Sequence, residues 1–478
     1  MNKQNTPAIT AQFIEKINAI LRKNDISVSK LADQTGLGRT SIQRLLAGTL
    51  LPSRNFVRKL ISVLPLSPDE RFDLTELYIR LKVGEERYLS GRMIMSLLKE
   101  LSISMWGIDS APLIRDEEPL PLPKAFSDEL SDSVETIYRV LSKELSKEKP
   151  RLLTSLPFVS GNLFSFILAL VANSGKKVEI VHFGRVVNDM RRYHDLEAFR
   201  SAIKVAVQNN INYTPYTYSV GERVYDDNFS PYPYFLLSSD YGAVFSKDIR
   251  NCMCSDSPEL RRRLEVHSDF LVSISNPLFE KYDAPDIQKM FLSGEFGADH
   301  IIEYRPEVFP FMSENTVERF LKKEHMTSKM VRSMGVGSVD KLLDEKRISS
   351  AGAVYYYFTP EGLADLVRTG KMGYISEMLF EPPDIPARKE VLENIIRHGG
   401  CRIIRSSLTQ IPRDSQILID RNRLCIAYSR ENEKKMILVK DPAVVAAFED
   451  FIVNAEEYGV LLSPEESEEQ IRSMIDSM

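Results

Sequence analysis

Residues 26–53, ISVSKLADQTGLGRTSIQRLLAGTLLPS, predict two short helices joined by a tight turn. Leu31 and Ala32 supply the apolar and small side chains that let a first helix pack closely against a second. Gly36 lies where the chain must reverse, and glycine adopts the left-handed backbone region without the steric cost of a Cβ atom. Gly48 closes the second helix. The stretch therefore predicts a compact helical unit built on this pair.

The second helix of the pair, about residues 39–47, separates into two faces. Ile42, Leu45 and Leu46 lie on an apolar side, and the remaining positions are mostly polar. Guanidinium, hydroxyl and amide groups on the polar side can hydrogen-bond to base edges and phosphates. The candidate DNA contacts are Arg39, Thr40, Ser41, Gln43 and Arg44 for the major groove, and Arg54 and Asn55, at the start of the next helix, for phosphate.

The segment from Ile14 through Leu64 resembles the XRE (Cro/phage-repressor-like) family of helix-turn-helix transcription regulators. The resemblance rests on the Leu-Ala pair, a Gly-Leu turn, the recognition helix R-T-S-I-Q-R and the sequence G-x-x-x-P-S. Val28 stands where the family often carries a phosphate-binding Gln, and Leu46 stands where a Glu is common. The first departure removes one expected backbone contact, and the second alters packing. The alternative is a helical module that no longer touches DNA.

The distribution of charge favours DNA binding. Residues 1–60 contain ten Lys and Arg against three acids, a net charge of +7. The whole chain carries −5, so residues 61–478 carry −12. Neutralisation of phosphates dominates affinity for DNA. A basic N-terminal segment followed by an acidic remainder therefore favours contact with DNA through the N-terminal segment.

Length and composition indicate several globular domains in a reducing compartment. The chain has 478 residues, with 43% hydrophobic and 27% charged residues. No stretch has the apolar length of a membrane span, and the N-terminal sequence lacks the apolar core of a signal peptide. Four cysteines in so long a chain argue against a disulfide framework, so we expect a cytoplasmic protein with no membrane partner.

A helical connector is predicted after the DNA-binding module. Ser67-Pro68 opens a helix, and the chain stays helix-compatible to about Leu101 with an interruption near Gly84. Its apolar residues predict either a seam against a second subunit or packing on the DNA-binding module: Leu74, Leu77, Leu81, Tyr88, Met93 and Leu97. Residues 108–124 are rich in proline and end the connector.

A weak internal repeat organises the rest of the chain. Helix, strand, strand pair and helix follow one another from Leu196, and the same order recurs from Ala387. Asp240 and Asp420 each fall at the turn of the strand pair, and each final helix opens with an N-cap residue and a proline. Before the first copy, residues 151–184 predict a β-α-β unit and hence parallel strands. The pattern predicts two homologous α/β lobes.

Motifs of catalysis and metal binding are missing from the sequence. It contains no P-loop, no H-E-x-x-H, no G-x-S-x-G and no paired C-x-x-C. The two-lobed layout resembles duplicated phosphodiesterase folds of the phospholipase D type, but neither half has the His-x-Lys motif that those enzymes need. His300 and Glu303 have the spacing of one helical turn, which suits one edge of a metal site, but the pair is interpreted as a solvated helix face. We therefore expect no enzyme, no metal and no cofactor.

The predicted fold is multidomain: an all-α helix-turn-helix N-terminal domain followed by an α/β body with an internal duplication. The predicted parts are a helix-turn-helix domain (1–66), a helical connector (67–107), a proline-rich linker (108–124), a first α/β lobe (125–280), a mixed intermediate region (281–375) and a second α/β lobe (376–478).

These features predict a sequence-specific DNA-binding transcriptional regulator. Its partners would be double-stranded DNA, a second copy in a homodimer, and a small-molecule or peptide effector bound by the body. Six tyrosines between Tyr213 and Phe235 suit either such a ligand surface or ordinary sheet edges. The sequence does not identify the ligand-binding residues. The alternatives are a helix-turn-helix-tethered scaffold of the antitoxin or phage-defence type and, less favoured, an enzyme tethered to DNA.

Overall fold

The computed structural model describes most of the chain. The described residues are 6–105, 131–157, 166–167, 170–171, 174–186, 192–208, 210–219, 231–292, 298–322, 354–405, 410–420, 422–430 and 433–478. The proline-rich linker predicted at residues 108–124 lies outside them. In these described parts, no helix is both long and apolar enough to cross a lipid bilayer.

Helices alone build the N-terminal region. They are α1 (Thr6–Lys23), α2 (Val28–Thr35), α3 (Arg39–Leu46), α4 (Arg54–Val63) and α5 (Pro68–Val83). Their apolar sides meet in one core, in which Phe13, Leu31 and Ile42 are almost completely buried. Leu74 and Tyr78 of α5 are buried in the same core, so the boundary predicted at residue 66 falls inside this packing unit.

A single residue separates α5 from the next helix, α6 (Glu85–Met105). Ser67 begins α5 with a capping box, because its Oγ accepts from the Glu70 N–H while the Glu70 carboxylate accepts from the Ser67 N–H. Gly84 ends α5 with φ 90° and ψ 153°, a conformation open to glycine. The guanidinium of Arg80 donates twice to the Glu85 carboxylate across this joint, at 2.7 and 2.9 Å.

The first sheet of the body has the strand order β6-β5-β4-β1-β2-β3-β7. Its strands are β1 (Arg151–Thr154), β2 (Val178–Val186), β3 (Ile211–Ser219), β4 (Tyr234–Leu237), β5 (Gly242–Phe245), β6 (Cys252–Ser255) and β7 (Asn276–Pro277). The helices of this half are α7 (Ser131–Leu145), α8 (Arg192–Ala206) and α9 (Pro258–Ile274). β1 and β2 are parallel, as the sequence predicted.

The second sheet has the order β11-β10-β9-β12-β13-β14-β8. Its strands are β8 (Glu280–Asp283), β9 (His300–Glu303), β10 (Tyr355–Phe358), β11 (Cys401–Ile403), β12 (Ser415–Asp420), β13 (Arg423–Arg430) and β14 (Glu433–Val439). The helices of this half are α10 (Ala284–Leu292), α11 (Glu314–Phe320), α12 (Pro360–Thr369), α13 (Tyr374–Leu379), α14 (Ile385–His398), α15 (Pro442–Val453) and α16 (Pro464–Asp476). Because β9 and β10 pair with β12 and β11, this sheet takes strands from both sides of the boundary predicted at residue 375.

Both sheets repeat one topology. Three parallel strands come first in each half, β1-β2-β3 and β9-β10-β11. An antiparallel meander then continues from the first of the three, as β4-β5-β6 and as β12-β13-β14. A helix precedes the third parallel strand and another follows the meander, α8 and α9 in one half and α14 and α15 in the other. The chain is multidomain, with a helical N-terminal region and an α/β body that contains this duplication.

Helix α6 lies inside the body and packs against α8 and α15. Its residues Tyr88, Met93 and Leu97 are buried in a core shared with both sheets. Leu74 and Leu81 of α5 are buried in the N-terminal core instead. Both sets are therefore covered within one chain, and a seam made of these residues is not available to a second subunit.

A close contact joins α6 to the loop that follows α15. A Cβ atom at Gly91 would lie 2.5 Å from the Cζ and Oη atoms of Tyr458. The Tyr458 hydroxyl donates to the backbone carbonyl of Arg87 at 2.7 Å, and the Arg87 guanidinium lies 3.2 Å from the Asp450 carboxylate. Burial raises the pKa of Tyr458, and the charge of Asp450 raises it further. The tyrosine ring therefore needs the bare backbone of Gly91 to reach its carbonyl partner.

We predict that Gly91→Ala destabilises the body by about 1–3 kcal/mol, the usual cost of overpacking a tight site. Helix propensity alone would make the same change stabilising by about 1 kcal/mol, so the sign of the effect identifies its cause. The measurement is urea unfolding followed by circular dichroism. Leu89→Ala on the exposed side of α6 is the control and should change little. A stabilised Gly91→Ala protein would contradict the contact with Tyr458.

Candidate nucleic-acid interface

The turn between α2 and α3 is closed by its own backbone and one hydroxyl. Gly36 has φ 66°, in the left-handed region, and its N–H donates to the carbonyl of Ala32 at 2.9 Å. The Thr35 hydroxyl donates to the Leu31 carbonyl at 2.7 Å and accepts from the Leu37 N–H at 3.3 Å. These bonds fix the direction in which α3 leaves the turn.

Helix α3 presents one polar face to solvent, which we call the α3 face. Its exposed residues are Arg39, Thr40, Gln43 and Arg44, four of the five residues predicted for the major groove. Ser41, the fifth, is half-buried at the margin. Ile42 and Leu45 are buried on the opposite side and hold the helix in this orientation. In the part of the chain that the structure describes, no carboxylate forms an ion pair with Arg39 or Arg44.

The start of α4 lies next to this helix in the chain and carries the residues predicted for phosphate. The Ser53 hydroxyl caps α4 by accepting from the Phe56 N–H at 3.3 Å. Asn55 is exposed, and its Oδ1 accepts from Nη2 of Arg58 at 3.4 Å. Arg58 is also exposed, one turn after Arg54 on the same side of the helix, and the sequence prediction missed it. The i, i+4 spacing of the two arginines would have identified it.

The two departures from the family pattern have a packing explanation. Val28 and Leu46 are both half-buried against the core of the N-terminal helices. A valine at the first position of α2 has no polar group for a phosphate. The leucine extends the apolar side of α3, so the α3 face is unaffected.

A loop of the second lobe contacts α4 and α5. The Arg54 guanidinium is half-buried, and its Nη1 lies 3.9 Å from Oε1 of Glu456, just after α15. The other carboxylate oxygen of Glu456 lies 3.1 Å from Nη2 of Arg402. The Tyr78 hydroxyl donates to Oε2 of Glu457 at 3.2 Å. One residue predicted to meet phosphate thus faces a carboxylate of its own chain.

A second carboxylate lies near the same helix. The hydrogen bond from the Ser463 N–H lowers the pKa of Glu466, and the charges of Arg405 and Arg58 lower it further. The Arg405 guanidinium is 3.0 Å from this carboxylate. Both arginines of α4 are therefore within the field of acidic groups from the second lobe.

The half of the body that contains the second sheet has a buried pair of carboxyl groups at the end of β9. Glu303 and Glu307 are 0% and 1% exposed, and the Gln416 amide donates to both at 3.1 Å. The N–H groups of Ile375 and Ser376 donate to Glu307 at 3.0 and 2.7 Å. Burial raises the pKa of both, and the charge of Glu307 raises that of Glu303 well above its usual range. Burial and the neighbouring carboxyl group therefore both favour the protonated form of Glu303.

The interpretation of His300 and Glu303 as a helix face is wrong, because both residues lie in strand β9. Three positions along a strand place the two side chains on opposite sides of the sheet. The His300 ring nitrogen Nδ1 lies 3.0 Å from the Tyr357 hydroxyl, while Glu303 joins the buried pair. Among the residues that the structure describes, no three His, Cys, Asp or Glu side chains are grouped to hold a metal ion.

Some tyrosines of the stretch from Tyr213 to Phe235 pack in the first lobe, and one lies outside the described residues. Tyr213 is buried in the first lobe with its hydroxyl 2.8 Å from Nδ1 of His182. Tyr216 stacks on Phe183 with ring centroids 5.7 Å apart. Tyr225 lies outside the described residues. Tyr213 is thus part of the interior of the first lobe, and Tyr216, Tyr218 and Tyr234 pack against its apolar clusters.

Comparison with protein families identifies the type of domain at the N-terminal end of the described chain. A family model described as Helix-turn-helix matches residues 17–71, which contain α2, the turn, α3 and α4. The N-terminal domain is therefore a helix-turn-helix domain of the XRE type, as the resemblance implied. A comparison with curated proteins found no match.

The buried carboxyl pair predicts a dependence of stability on pH. Because the folded-state pKa of Glu303 is raised, its contribution to stability is fully present below about pH 4.5 and is lost as the pH rises through the folded-state value. Glu303→Gln imitates the protonated acid and should flatten this loss above about pH 4.5. The measurement is the urea midpoint at each pH, with exposed Glu433→Gln as the control. A Glu303→Gln protein whose midpoint falls with pH as steeply as the parent would contradict the assignment.

Proposed function

We propose that this protein is a sequence-specific, dimeric transcriptional regulator whose body controls the access of its helix-turn-helix domain to DNA. The control would respond to a small-molecule or peptide effector bound by the body. The proposal places the chain in the cytoplasm and gives the body no catalytic step.

The observation that carries this proposal is the composition of the α3 face. Its guanidinium, amide and hydroxyl groups are exposed together on a short helix whose angle the preceding turn fixes. Arginine and glutamine can each make two hydrogen bonds to one base in the major groove, where the four base pairs differ. Among the described residues no carboxylate pairs with Arg39 or Arg44, so neither side chain has to leave such a partner when DNA binds.

The test is selection from randomised duplex oligonucleotides by the full-length protein, followed by binding measurements on the enriched sequence. Gln43→Ala or Arg44→Ala should each weaken binding by about 1–3 kcal/mol and relax the preference at one or two base pairs. Arg71→Ala removes an exposed charge from α5 and is the control. Selection that returns no enriched sequence would contradict the proposed function. Equal weakening on every sequence would assign the two residues to the DNA backbone instead.

The contact between Arg54 and Glu456 supports control by the body. A phosphate that approaches Arg54 must displace the Glu456 carboxylate or tolerate its charge. The pair is partly exposed, so its energy is modest and its exchange for a phosphate is easily reversed. Any effector that moves the loop after α15 would change this competition.

We predict that Glu456→Gln raises the affinity for DNA about two- to fivefold, which corresponds to the 0.5–1 kcal/mol of a partly exposed ion pair. Glu469→Gln on the exposed side of α16 removes the same charge and is the matched control. Fluorescence anisotropy with a labelled duplex, at several salt concentrations, measures both variants. An equal gain in the two variants would assign the effect to net charge and contradict the specific competition.

A further inference from the structure

The start of α13 is capped by a side chain from another part of the chain. Gly373 precedes this helix and has no side chain that could cap it. Glu307, in the segment after β9, accepts instead from the N–H groups of Ile375 and Ser376, at 3.0 and 2.7 Å. These are the second and third residues of α13, whose N–H groups an N-cap side chain normally satisfies. The carboxyl group of Glu307 therefore acts as the cap of α13.

Gly373 leaves room for this cap and for its neighbour Glu303. A Cβ atom at position 373 would lie 2.9 Å from Oε2 of Glu307 and 2.9 Å from Oε2 of Glu303. The amide nitrogen of Gln416 lies 3.1 Å from each of the same two oxygens. The two carboxyl groups thus meet in one buried site at the junction of β9, β12 and α13.

The hydroxyl group of Ser376 extends this network to the segment that follows β9. It donates to the carboxyl group of Glu307 and accepts from the N–H groups of Val308 and Phe309, at 3.2 and 3.1 Å. Movement of Glu307 would therefore take hydrogen-bond partners from α13 and loosen the link between this helix and the segment after β9.

The hydrogen bonds and charges around the pair favour a negative charge on Glu307 more than on Glu303. Burial raises the pKa of Glu307, but the hydrogen bonds from Ser376 and Ile375 and the charge of Lys434 on β14 oppose that rise. Burial and the charge of Glu307 both raise the pKa of Glu303. The positive charge of Lys434 thus acts on the capping carboxyl group.

The other titratable groups near the pair do not stabilise an ionised Glu303. Tyr356 on β10 and Cys401 on β11 lie near it, and burial raises the pKa of both, so each remains neutral. The guanidinium of Arg305, between the two glutamates in the chain, already pairs with three other carboxylates, those of Asp365, Glu377 and Asp414.

We propose that Glu303 and Glu307 form a proton-dependent latch, that is, a contact that fastens the start of α13 only while Glu303 is protonated. In that state Glu307 caps the helix and ties it to β9 and β12. When the proton leaves Glu303 for solvent, two like charges face each other in a buried site, where their repulsion is strong. Glu307 then moves away from Glu303, and α13 loses its cap. The latch gives the body a conformational response to rising pH, and it operates whether or not the protein binds DNA.

Hydrogen exchange of the full-length protein, followed by mass spectrometry, tests the latch. It compares the amides of Ile375 and Ser376 with those of Phe448 and Phe451, which are buried in α15. Because the release of α13 frees one proton, each unit of pH above about 4.5 should raise the exchange of α13 about tenfold relative to α15. The rise should end where Glu303 is ionised in the closed protein as well.

Three variants sharpen this test. Glu303→Gln has nearly the same shape and cannot ionise, so the ratio of α13 to α15 exchange should stay constant with pH. Exposed Glu433→Gln is the control and should follow the parent. Gly373→Ala sets a Cβ atom against both carboxyl groups, so it should speed the exchange of α13 about tenfold even below about pH 4.5.

Each outcome decides the inference. A parent whose ratio of α13 to α15 exchange stays constant with pH would overturn the latch, and so would a Glu303→Gln protein whose ratio rises as in the parent. If circular dichroism shows that Glu303→Gln does not fold, Gly373→Ala decides: faster exchange of α13 supports the latch, and unchanged exchange overturns it. The selection of a DNA sequence is measured separately, so failure of the latch leaves the proposed function standing.

Discussion

The burial of α6 against α8 and α15, in a core shared with both sheets, is the constraint on which the arrangement of this protein depends. The apolar residues of α6 belong to a core that also contains residues of both sheets. Helices α8 and α15 both pack against α6. The contact between Gly91 and Tyr458 allows no side chain at that point. Because α6 follows α5 after one residue, the position of α6 in the body also sets the position of the DNA-binding helices.

The position of the N-terminal helices on the body also brings charged groups together near the candidate DNA interface. Residues 1–60 carry a net charge of +7, and the loop after α15 brings Glu456 and Glu457 against α4 and α5. The α3 face stays open, whereas Arg54 on α4 is already engaged. In the proposed function, base recognition would therefore depend on the exposed face of α3, and phosphate contact by Arg54 would depend also on the body.

Features that a few neighbouring residues determine could be predicted from the sequence. The turn at Gly36, the capped starts of α5 and α15, and the recurrence of strand pair and helix all follow from local backbone chemistry. Long-range pairing could not be predicted in this way. Tyr78 and its partner Glu457 are 379 residues apart, and no local pattern connects them.

The same distinction explains the error at His300. A separation of three residues fits a helix, but the neighbours of this segment are β10 and β12, which pair with it as a strand. Pairing with distant strands decided the local conformation there. At the candidate DNA contacts the prediction of exposure followed from the 3.6-residue period alone, since Ile42 and Leu45 fix the inner side of α3. Ser41 lies at the edge of that period and is half-buried for that reason.

Helix α5 packs mainly in the N-terminal core, and α6 packs in the core of the body. This difference decides where the N-terminal domain could be joined to another body. A recombination event that cut the gene before α5 would strip Leu74 and Tyr78 from the head and leave its interior open to water. A cut at Gly84 leaves the N-terminal core whole, takes Val83 from the core of the body, and breaks the contacts of Arg54 and Tyr78 with Glu456 and Glu457. A different body joined at this glycine would therefore have to cover Val83 and supply new partners for Arg54 and Tyr78.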